Sequence, residues 1–155
     1  MKMFNRSAWM VLALSLVSLS AAAQEKKITE KEVPATVMSA FRSAYPQATI
    51  KGFAKERENG KLFYEIESMD DKTPRDILYH PDGSVAEIEE GIAASDLPAD
   101  AQQAIQKKYP GAVVVKAERV TQGNKIAYEV SARRGKRRIS LEFDSSGKLL
   151  KSHAR

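Results

Sequence analysis

An internal repeat spans most of the chain and constrains the fold more than any other feature. When the sequence is shifted by 64 residues against itself, apolar and turn-forming residues coincide without a gap. The clearest pairs are Val33-Pro34-Ala35 with Leu97-Pro98-Ala99, Tyr45-Pro46 with Tyr109-Pro110, and Tyr64-Glu65-Ile66 with Tyr128-Glu129-Val130. A repeat in constant register is typical of a duplicated structural unit. We therefore expect two units of similar fold, at 24–90 and 91–155.

Each unit begins with an amphipathic helix. Apolar residues recur every four positions in both units: Val33, Val37, Phe41 and Tyr45, then Leu97, Ala101, Ile105 and Tyr109. This spacing places one apolar stripe on the surface of a helix. Proline is accepted in the first helical turn, so Pro34 and Pro98 indicate where the helices begin. Pro46 and Pro110 indicate their ends, because the residue before a proline is disfavoured in the helical conformation.

Four short strands follow each helix. They are predicted at 49–57, 62–68, 75–79 and 85–90 in the first unit, and at 112–120, 126–132, 138–143 and 148–152 in the second. Asn59-Gly60 and Pro81-Asp82-Gly83-Ser84 are strong turn sequences, and strands joined by tight turns pair antiparallel. The expected fold is therefore α+β, with two tandem repeats of one helix packed on a four-stranded antiparallel sheet. The sequence leaves open whether the two sheets join.

Residues 1–23 have the layout of a secretory signal peptide. Lys2 and Arg6 precede an uncharged, mainly apolar stretch at 7–20, and Ala21-Ala22-Ala23 supplies small residues suited to a signal peptidase. The stretch is shorter than the ~20 apolar residues that a membrane span needs. We expect cleavage after Ala23, no transmembrane segment after cleavage, and a periplasmic or secreted protein.

The repeated motifs resemble those of the PepSY-like, β-lactamase-inhibitor-like proteins, which are exported bacterial proteins of tandem α+β units. The shared pattern is an apolar-Pro-Ala start, a helix ending in Tyr-Pro, a Tyr-Glu-apolar strand, and a Gly turn before the last strand. It covers 28–151. The resemblance implies a binding or inhibitory role. Because fold alone does not fix function, that role is an analogy.

The composition argues against an enzyme and against a metal or cofactor site. The chain has no Cys and only two His, His80 and His153, so thiolate chemistry is excluded and a histidine-based centre is unfavoured. Glu56/Glu58, Glu65/Glu67 and Glu87/Glu89 form carboxylate pairs at a spacing of two. Strand geometry places both members of each pair on one solvent face, where nothing in the sequence suggests a raised pKa.

The first unit is predicted to carry a binding face on its sheet. Strand alternation places Phe63 and Glu65 on the face opposite to Tyr64, and we expect Phe53 and Leu78 to join them. An exposed apolar patch of this kind often marks a protein-binding surface. The alternative is that the other unit, a second copy or the chain ends cover these side chains.

A basic cluster in the second unit is the other candidate site. Five cationic residues flank one glycine at a predicted hairpin tip: Arg133, Arg134, Lys136, Arg137 and Arg138. Residues 28–90 carry 8 basic and 13 acidic side chains, whereas 91–155 carry 13 basic and 6 acidic. The cluster either binds an anionic partner such as lipopolysaccharide or anionic lipid, or keeps an edge strand from pairing with other chains.

The sequence thus predicts an exported, non-enzymatic binding protein without a cofactor. The primary expectation is a modulator or inhibitor of an unidentified envelope or secreted protein, bound through the open sheet face. The alternative is an electrostatic binder of envelope polyanions. Nucleic acid is not expected as a partner, because no aromatic residues alternate with the basic cluster.

Overall fold

Within residues 24–155, nine strands pair in chain order to form one antiparallel sheet. The structure, a computed structural model, describes residues 24–155, so the predicted signal peptide lies outside the described residues. The strands are β1 (Gln24–Lys27), β2 (Thr49–Glu58), β3 (Lys61–Asp70), β4 (Thr73–Tyr79), β5 (Val85–Ile92), β6 (Val113–Gln122), β7 (Lys125–Arg134), β8 (Arg137–Asp144) and β9 (Leu149–Ala154). Each strand pairs only with its neighbours in the chain, and every pairing is antiparallel.

In the described part of the chain, two helices of ten residues interrupt this order, one before β2 and one before β6. Helix α1 spans Ala35–Ala44 and helix α2 spans Ala99–Lys108, and each follows a single turn of 3₁₀ helix. The prolines lie where the sequence indicated, since the carbonyls of Pro34 and Pro98 accept the first helical hydrogen bonds at 3.1 Å. Neither helix has the length and hydropathy required to cross a bilayer.

Both helices pack on the same face of the sheet and bury two separate cores. Val37 and Phe41 of α1 pack against Ile66 and Ile77 of the first half, together with Tyr79. In the second half the corresponding residues are Ala101, Ile105, Val130, Leu141 and Phe143. These are the apolar positions that the repeat predicted, and their burial supplies the main stabilisation of each half.

The α+β class is confirmed, but the strands do not separate into two sheets. β5 pairs with β6, from Ile88 opposite Thr121 to Ile92 opposite Ala117, so the sheet is continuous. An additional strand that the sequence did not predict, β1, pairs with β2 at one edge.

Ion pairs on the helix side reinforce the junction between the halves. Glu90 of β5 accepts hydrogen bonds from Arg75 of β4 at 2.7 Å and from Arg119 of β6 at 2.8 Å. The Arg75 guanidinium also lies 4.5 Å from the centre of the Tyr45 ring. Charge-assisted contacts of this kind join groups from both halves at one carboxylate.

Two glycine turns bring the sheet against the helices. At Gly83 and Gly147 φ is +89° and +91°, which is a conformation that favours glycine. An added Cβ would lie 2.7 Å from the Thr36 carbonyl oxygen at Gly83 and 2.7 Å from the Ala101 nitrogen at Gly147. Both turns therefore require glycine for backbone conformation and for close approach.

Candidate functional site: the open face of the sheet

The face of the sheet opposite to the helices is the candidate site, and we call it the open face. Side-chain alternation and strand register place a line of cross-strand neighbours on this face. They are Ala54, Glu65, Leu78 and Glu87, on β2 to β5. The helix residues that form the cores all pack against side chains on the other face. Within residues 24–155, the open face is therefore covered by no helix.

Phe63 and Leu78 lie on the open face, as expected, but they are not exposed. Phe63 is 7 % exposed and Leu78 is 6 % exposed. The ring of His80 lies 5.1 Å from that of Phe63, and longer side chains on neighbouring strands surround Leu78, among them Glu65 and Glu87. The expectation that Phe63 and Leu78 form an exposed apolar patch is wrong, because both side chains are buried.

Phe53 lies on the opposite face from the one expected. It pairs with Ile66 and packs against the core beneath α1. The cause is a β-bulge between Ile50 and Gly52, which adds one residue and places Ile50 and Phe53 on the same side. Strict alternation from Ile50 would have placed Phe53 on the open face, so this assignment was wrong.

Carboxylates dominate the open face. Glu67, Asp76 and Glu89 lie directly opposite one another across β3, β4 and β5, and we call them the first acidic row. A second acidic row is formed by Glu118, Glu129 and Glu142 across β6, β7 and β8. Like charges directly opposite one another destabilise a sheet. Each row therefore destabilises the fold, and packing alone does not explain why the carboxylates are there.

Burial and mutual repulsion raise the pKa of several of these carboxyl groups. The pKa of Glu65 is raised to about 8 by burial first and then by the charges of Asp76, Glu56 and Glu67. For Glu129 burial, with Glu142 and Glu118 next, raises the pKa to about 7. Burial also raises the pKa of three further carboxyl groups on this face, those of Glu56, Glu58 and Glu87.

The sequence suggested no raised pKa for the spaced carboxylate pairs, and this expectation was wrong for Glu56, Glu58, Glu65 and Glu87. Spacing along one strand shows only the neighbour two residues away. Most of the repulsion comes from carboxylates on adjacent strands, such as Asp76 beside Glu65. A sequence signal did exist, because both units place Glu in the middle of the Tyr-Glu-apolar strand, but it becomes meaningful only once the register is known.

Some of the charge in the second acidic row is balanced by lysines. Lys116 Nζ lies 2.5 Å from a Glu118 oxygen, and Lys151 Nζ lies 3.1 Å from Glu142 Oε2. In addition, the Gln122 side-chain amide donates to Glu87. These contacts fix the carboxylates in place while leaving the face acidic.

Three carboxylates converge between the two rows. One oxygen each from Asp76, Glu89 and Glu118 lie within 4.8 Å of one another. Carboxylate oxygens are the ligands that Ca²⁺ and Mg²⁺ accept, so these are the residues of the described chain that could hold a divalent cation. The sequence did not indicate them, since they come from three strands and follow no loop motif.

The basic cluster forms the tip of the β7–β8 hairpin, as the sequence predicted. Arg133 pairs with Arg138 and Arg134 with Arg137, with Gly135 at φ +59° in the turn. The side chains of the cluster are all exposed. β6 pairs with β7 only as far as Arg133, and the last bonds from the β9 side join Arg155 to Arg138. The segment 134–137 therefore extends beyond the strands on either side.

The structure does not bring the two candidate sites together within one chain. Phe63, Glu65 and Leu78 lie on β3 and β4, whereas the basic cluster lies at the end of β7 and β8. The strands between them are β5 and β6. Any joint use of the two surfaces thus requires a partner that spans the sheet or a second molecule.

Comparison with solved structures shows the same fold in several bacterial proteins. A BLIP-like protein from Bacteroides fragilis is 20% identical and superposes with a TM-score of 0.59, covering 78% of this chain and 86% of its own. A DUF2874 family protein from Bacteroides uniformis is 15% identical with a TM-score of 0.63, covering 78% and 88%. A third, from Bacteroides eggerthii, described as one of the "putative periplasmic proteins", is 16% identical with a TM-score of 0.65, covering 79% and 88%.

Sequence comparison gives the family. No curated protein sequence matches the chain. One family pattern, described as "Putative beta-lactamase-inhibitor-like, PepSY-like", matches residues 20–86 and again residues 63–151. The two matches together extend over most of the chain, in agreement with the resemblance of its repeated motifs. The chain belongs to the PepSY-like, beta-lactamase-inhibitor-like family.

Proposed function

We propose that this protein is an exported, non-enzymatic binding protein that modulates or inhibits a protein partner through the open face. One observation carries the proposal: the open face is left uncovered within residues 24–155 although it holds two rows of directly opposed carboxylates. A sheet that bears a costly charge pattern on its uncovered side is suited to recognition.

An inhibitor-like role and export are supported by the relatives. The family is described as beta-lactamase-inhibitor-like, and one protein of the same fold is described as BLIP-like. Another is described as periplasmic. Together with the signal-peptide layout of residues 1–23, these descriptions favour a periplasmic or secreted location for this chain.

A binding role accounts for the open face better than catalysis does. Catalytic acid and base pairs need groups that converge on one reacting atom. Here the carboxyl groups with raised pKa are spread over several strands, and their shifts arise from burial and mutual crowding. His80 and His153 lie at separate places, after β4 and in β9. The proposal therefore assigns no catalytic residue.

The two halves are proposed to be copies of one unit, at 24–90 and 91–155. In each, a ten-residue helix precedes four strands, β2 to β5 after α1 and β6 to β9 after α2. The bulges in β2 and β6 also fall at equivalent positions. On this view the open face consists of two equivalent halves that have diverged in charge.

The basic cluster supports a second candidate function, the binding of envelope polyanions. Its exposed tip presents the like-charged cross-strand pair of Arg134 with Arg137. Like charges placed opposite one another are costly unless an anion neutralises them. Anionic lipid or lipopolysaccharide would supply such charges, with an affinity that falls steeply as salt rises.

A capture experiment with two variants tests both functions. The chain from Gln24 would be immobilised and exposed to an envelope extract at low salt and at about 0.15 M salt, where the screening length is about 8 Å. The face variant carries Glu67→Lys and Glu89→Lys, and the hairpin variant carries Lys136→Glu and Arg137→Glu. A control with the same charge change as the face variant carries Glu30→Lys and Asp96→Lys, at exposed positions outside the sheet.

Binding through the open face predicts a protein that is retained at both salts by the unchanged chain and by the control but lost by the face variant. Binding of polyanions predicts retention of anionic lipid at low salt only, lost by the hairpin variant. If the face variant and the control capture the same proteins as the unchanged chain, the open face is not the binding surface.

A further inference from the structure

One end of the molecule brings together basic residues from the sheet and from a helix. The basic cluster lies where β7 ends and β8 begins. Helix α2 starts against the turn after β8, at the other end of these strands, and its ten residues span about 15 Å towards the cluster. Its last turn carries Lys107 and Lys108, which are both exposed. We call the basic cluster and these two lysines the basic end.

The charged side chains around the basic end all have the same sign in the second half. Segments 107–116 and 131–140 contain basic residues but no acidic ones. The register places Arg134 and Arg137 on the helix side of the sheet and Arg133 on the open face, because side chains alternate along a strand. The positive charge therefore belongs to the end of the sheet as a whole and not to one of its faces.

The first half forms the same end of the fold without these cations. A shift of 64 residues places Asp70 and Thr73 where the second half has Arg134 and Arg137, and both pairs close equivalent turns. At the positions of the two lysines the first helix has Ser43-Ala44. Protection of a sheet edge does not account for the cations either, since β7 and β8 are interior strands. A ligand outside the chain is the better explanation.

Two exposed valines accompany the cations. Val113 and Val115 lie at the start of β6 and are 65 % and 61 % exposed. Val113 is the cross-strand partner of Arg133, so apolar and cationic side chains are direct neighbours at this end. Proteins that lie on a bilayer surface combine these two features, because cations meet anionic headgroups while apolar groups reach the boundary of the acyl chains.

From these observations we propose that the basic end docks on the surface of an anionic phospholipid bilayer. The inference rests on the second candidate function, and it names the partner and the surface that binds it. Arginine guanidinium groups of the cluster would form bidentate hydrogen bonds to headgroup phosphates. Contact through the end of the strands would leave the open face uncovered beside the bilayer. A protein partner and the membrane can then be bound at the same time.

A tryptophan reporter tests the contact with the bilayer directly. Trp9 is the one tryptophan of the sequence, so the chain from Gln24 has none. Val113→Trp places a reporter at the basic end. Val85→Trp is the matched control, because it places one at a half-exposed position where β5 begins, at the opposite end of the sheet.

The two reporters would be compared on phosphatidylcholine vesicles that contain about one third phosphatidylglycerol. At about 0.01 M salt, where the screening length is about 30 Å, the emission of Val113→Trp should shift to shorter wavelength and that of Val85→Trp should not. The shift should be absent on vesicles of phosphatidylcholine alone. Equal shifts of the two reporters, or no shift of Val113→Trp, would overturn the contact.

Charge-neutralised variants test whether helix and hairpin act together. The helix-end variant carries Lys107→Gln and Lys108→Gln, and its control removes the same charge from exposed positions of the first half with Arg42→Gln and Lys72→Gln. Cosedimentation with the mixed vesicles at about 0.1 M salt confines the effect to nearby charges, since the screening length is about 10 Å. The helix-end variant should bind about 25-fold more weakly, because each cation contributes about fivefold, or about 1 kcal/mol. The control should bind like the unchanged chain, and equal weakening of both variants would contradict docking through this end.

The remaining outcomes distinguish this inference from the function on which it rests. Loss of vesicle binding by the hairpin variant, with no loss by the helix-end variant, would overturn docking through the whole basic end and leave polyanion binding by the hairpin in place. Binding to lipopolysaccharide aggregates but not to the mixed vesicles would overturn the phospholipid bilayer as the partner and retain the second candidate function. If the unchanged chain binds neither, both are overturned, while capture of a protein through the open face is unaffected.

Discussion

Glu65 occupies the middle of β3 on the open face, between Ala54 of β2 and Leu78 of β4. Its carboxyl group meets more negative charge than the sequence alone reveals, and its pKa is raised to about 8. A carboxyl group whose pKa is raised in the folded state binds its proton more tightly there than in the unfolded chain. Its contribution therefore destabilises the fold as pH rises from the unfolded value, near 4.5, towards 8.

Replacement of this charge is expected to stabilise the protein at alkaline pH only. Glu65→Gln should raise the free energy of unfolding by up to about 4 kcal/mol at pH 8, since the pKa is raised from near 4.5 to about 8 and one pKa unit corresponds to about 1.4 kcal/mol. At pH 5 the folded carboxyl group is protonated, so the change should be small. Urea unfolding at the two pH values measures the difference, with Glu30→Gln as an exposed control. An equal effect at both pH values would contradict the raised pKa.

At the scale of elements, the turns after β4 and β8 bring the sheet into contact with the helices. Gly83 and Gly147 hold positive φ and lie against the backbone of α1 and α2. Asp82 and Asp144 stabilise the same turns, since each accepts hydrogen bonds from a serine two residues later. The same turn occurs in both halves, at the place where helix and sheet are in contact.

Alanine at either of these glycines is expected to destabilise the fold. Gly147→Ala adds a Cβ that would approach the Ala101 nitrogen at 2.7 Å in a conformation strained for alanine, so a loss of about 1 to 3 kcal/mol is expected. Gly123→Ala is the matched control, because φ is +56° there but no atom lies within 4 Å of the added Cβ. Thermal unfolding should show the larger loss at Gly147. Equal losses would mean that strain alone, and not close approach, decides the cost.

Elements with strong periodicity or turn chemistry were predictable, and those that depend on partners across the sheet were not. The helices followed from apolar residues at every fourth position, and the hairpin at Asn59-Gly60 followed from its turn residues, which both have positive φ. β1 is polar throughout its four residues, so only its pairing with β2 reveals it. Phe53 lies on the helix side of the sheet because of a bulge, and the acidic rows arise from the pairing register between strands. Neither can be predicted from the sequence of one strand.

At the scale of the whole molecule, the continuous sheet couples the two cores. β5 and β6 pair from Ile88 opposite Thr121 to Ile92 opposite Ala117, and Glu90 contacts arginines from both halves. A half of this size is marginal on its own. The two halves are therefore expected to unfold together in a single transition.

A mutation in the buried core of the second half should therefore also destabilise the first half. Phe143→Ala removes a fully buried ring and is expected to cost about 3 to 5 kcal/mol. Hydrogen exchange should then show reduced protection of amides in β3 as well as β8, because both depend on global unfolding. Val85→Ala, at an exposed position, should leave protection unchanged. Loss of protection confined to 91–155 would show that the halves open independently.

The strand order, which follows the chain order throughout the sheet, has a consequence for how the protein folds. Each hairpin closes a short loop, and the longest connections contain the helices. Such local topology favours rapid folding, since little chain entropy is lost before contacts form. With no Cys in the sequence, no oxidation step is needed. Strands can thus add to the sheet one after another from the first hairpin onward, before the C-terminal residues of the chain are available to fold.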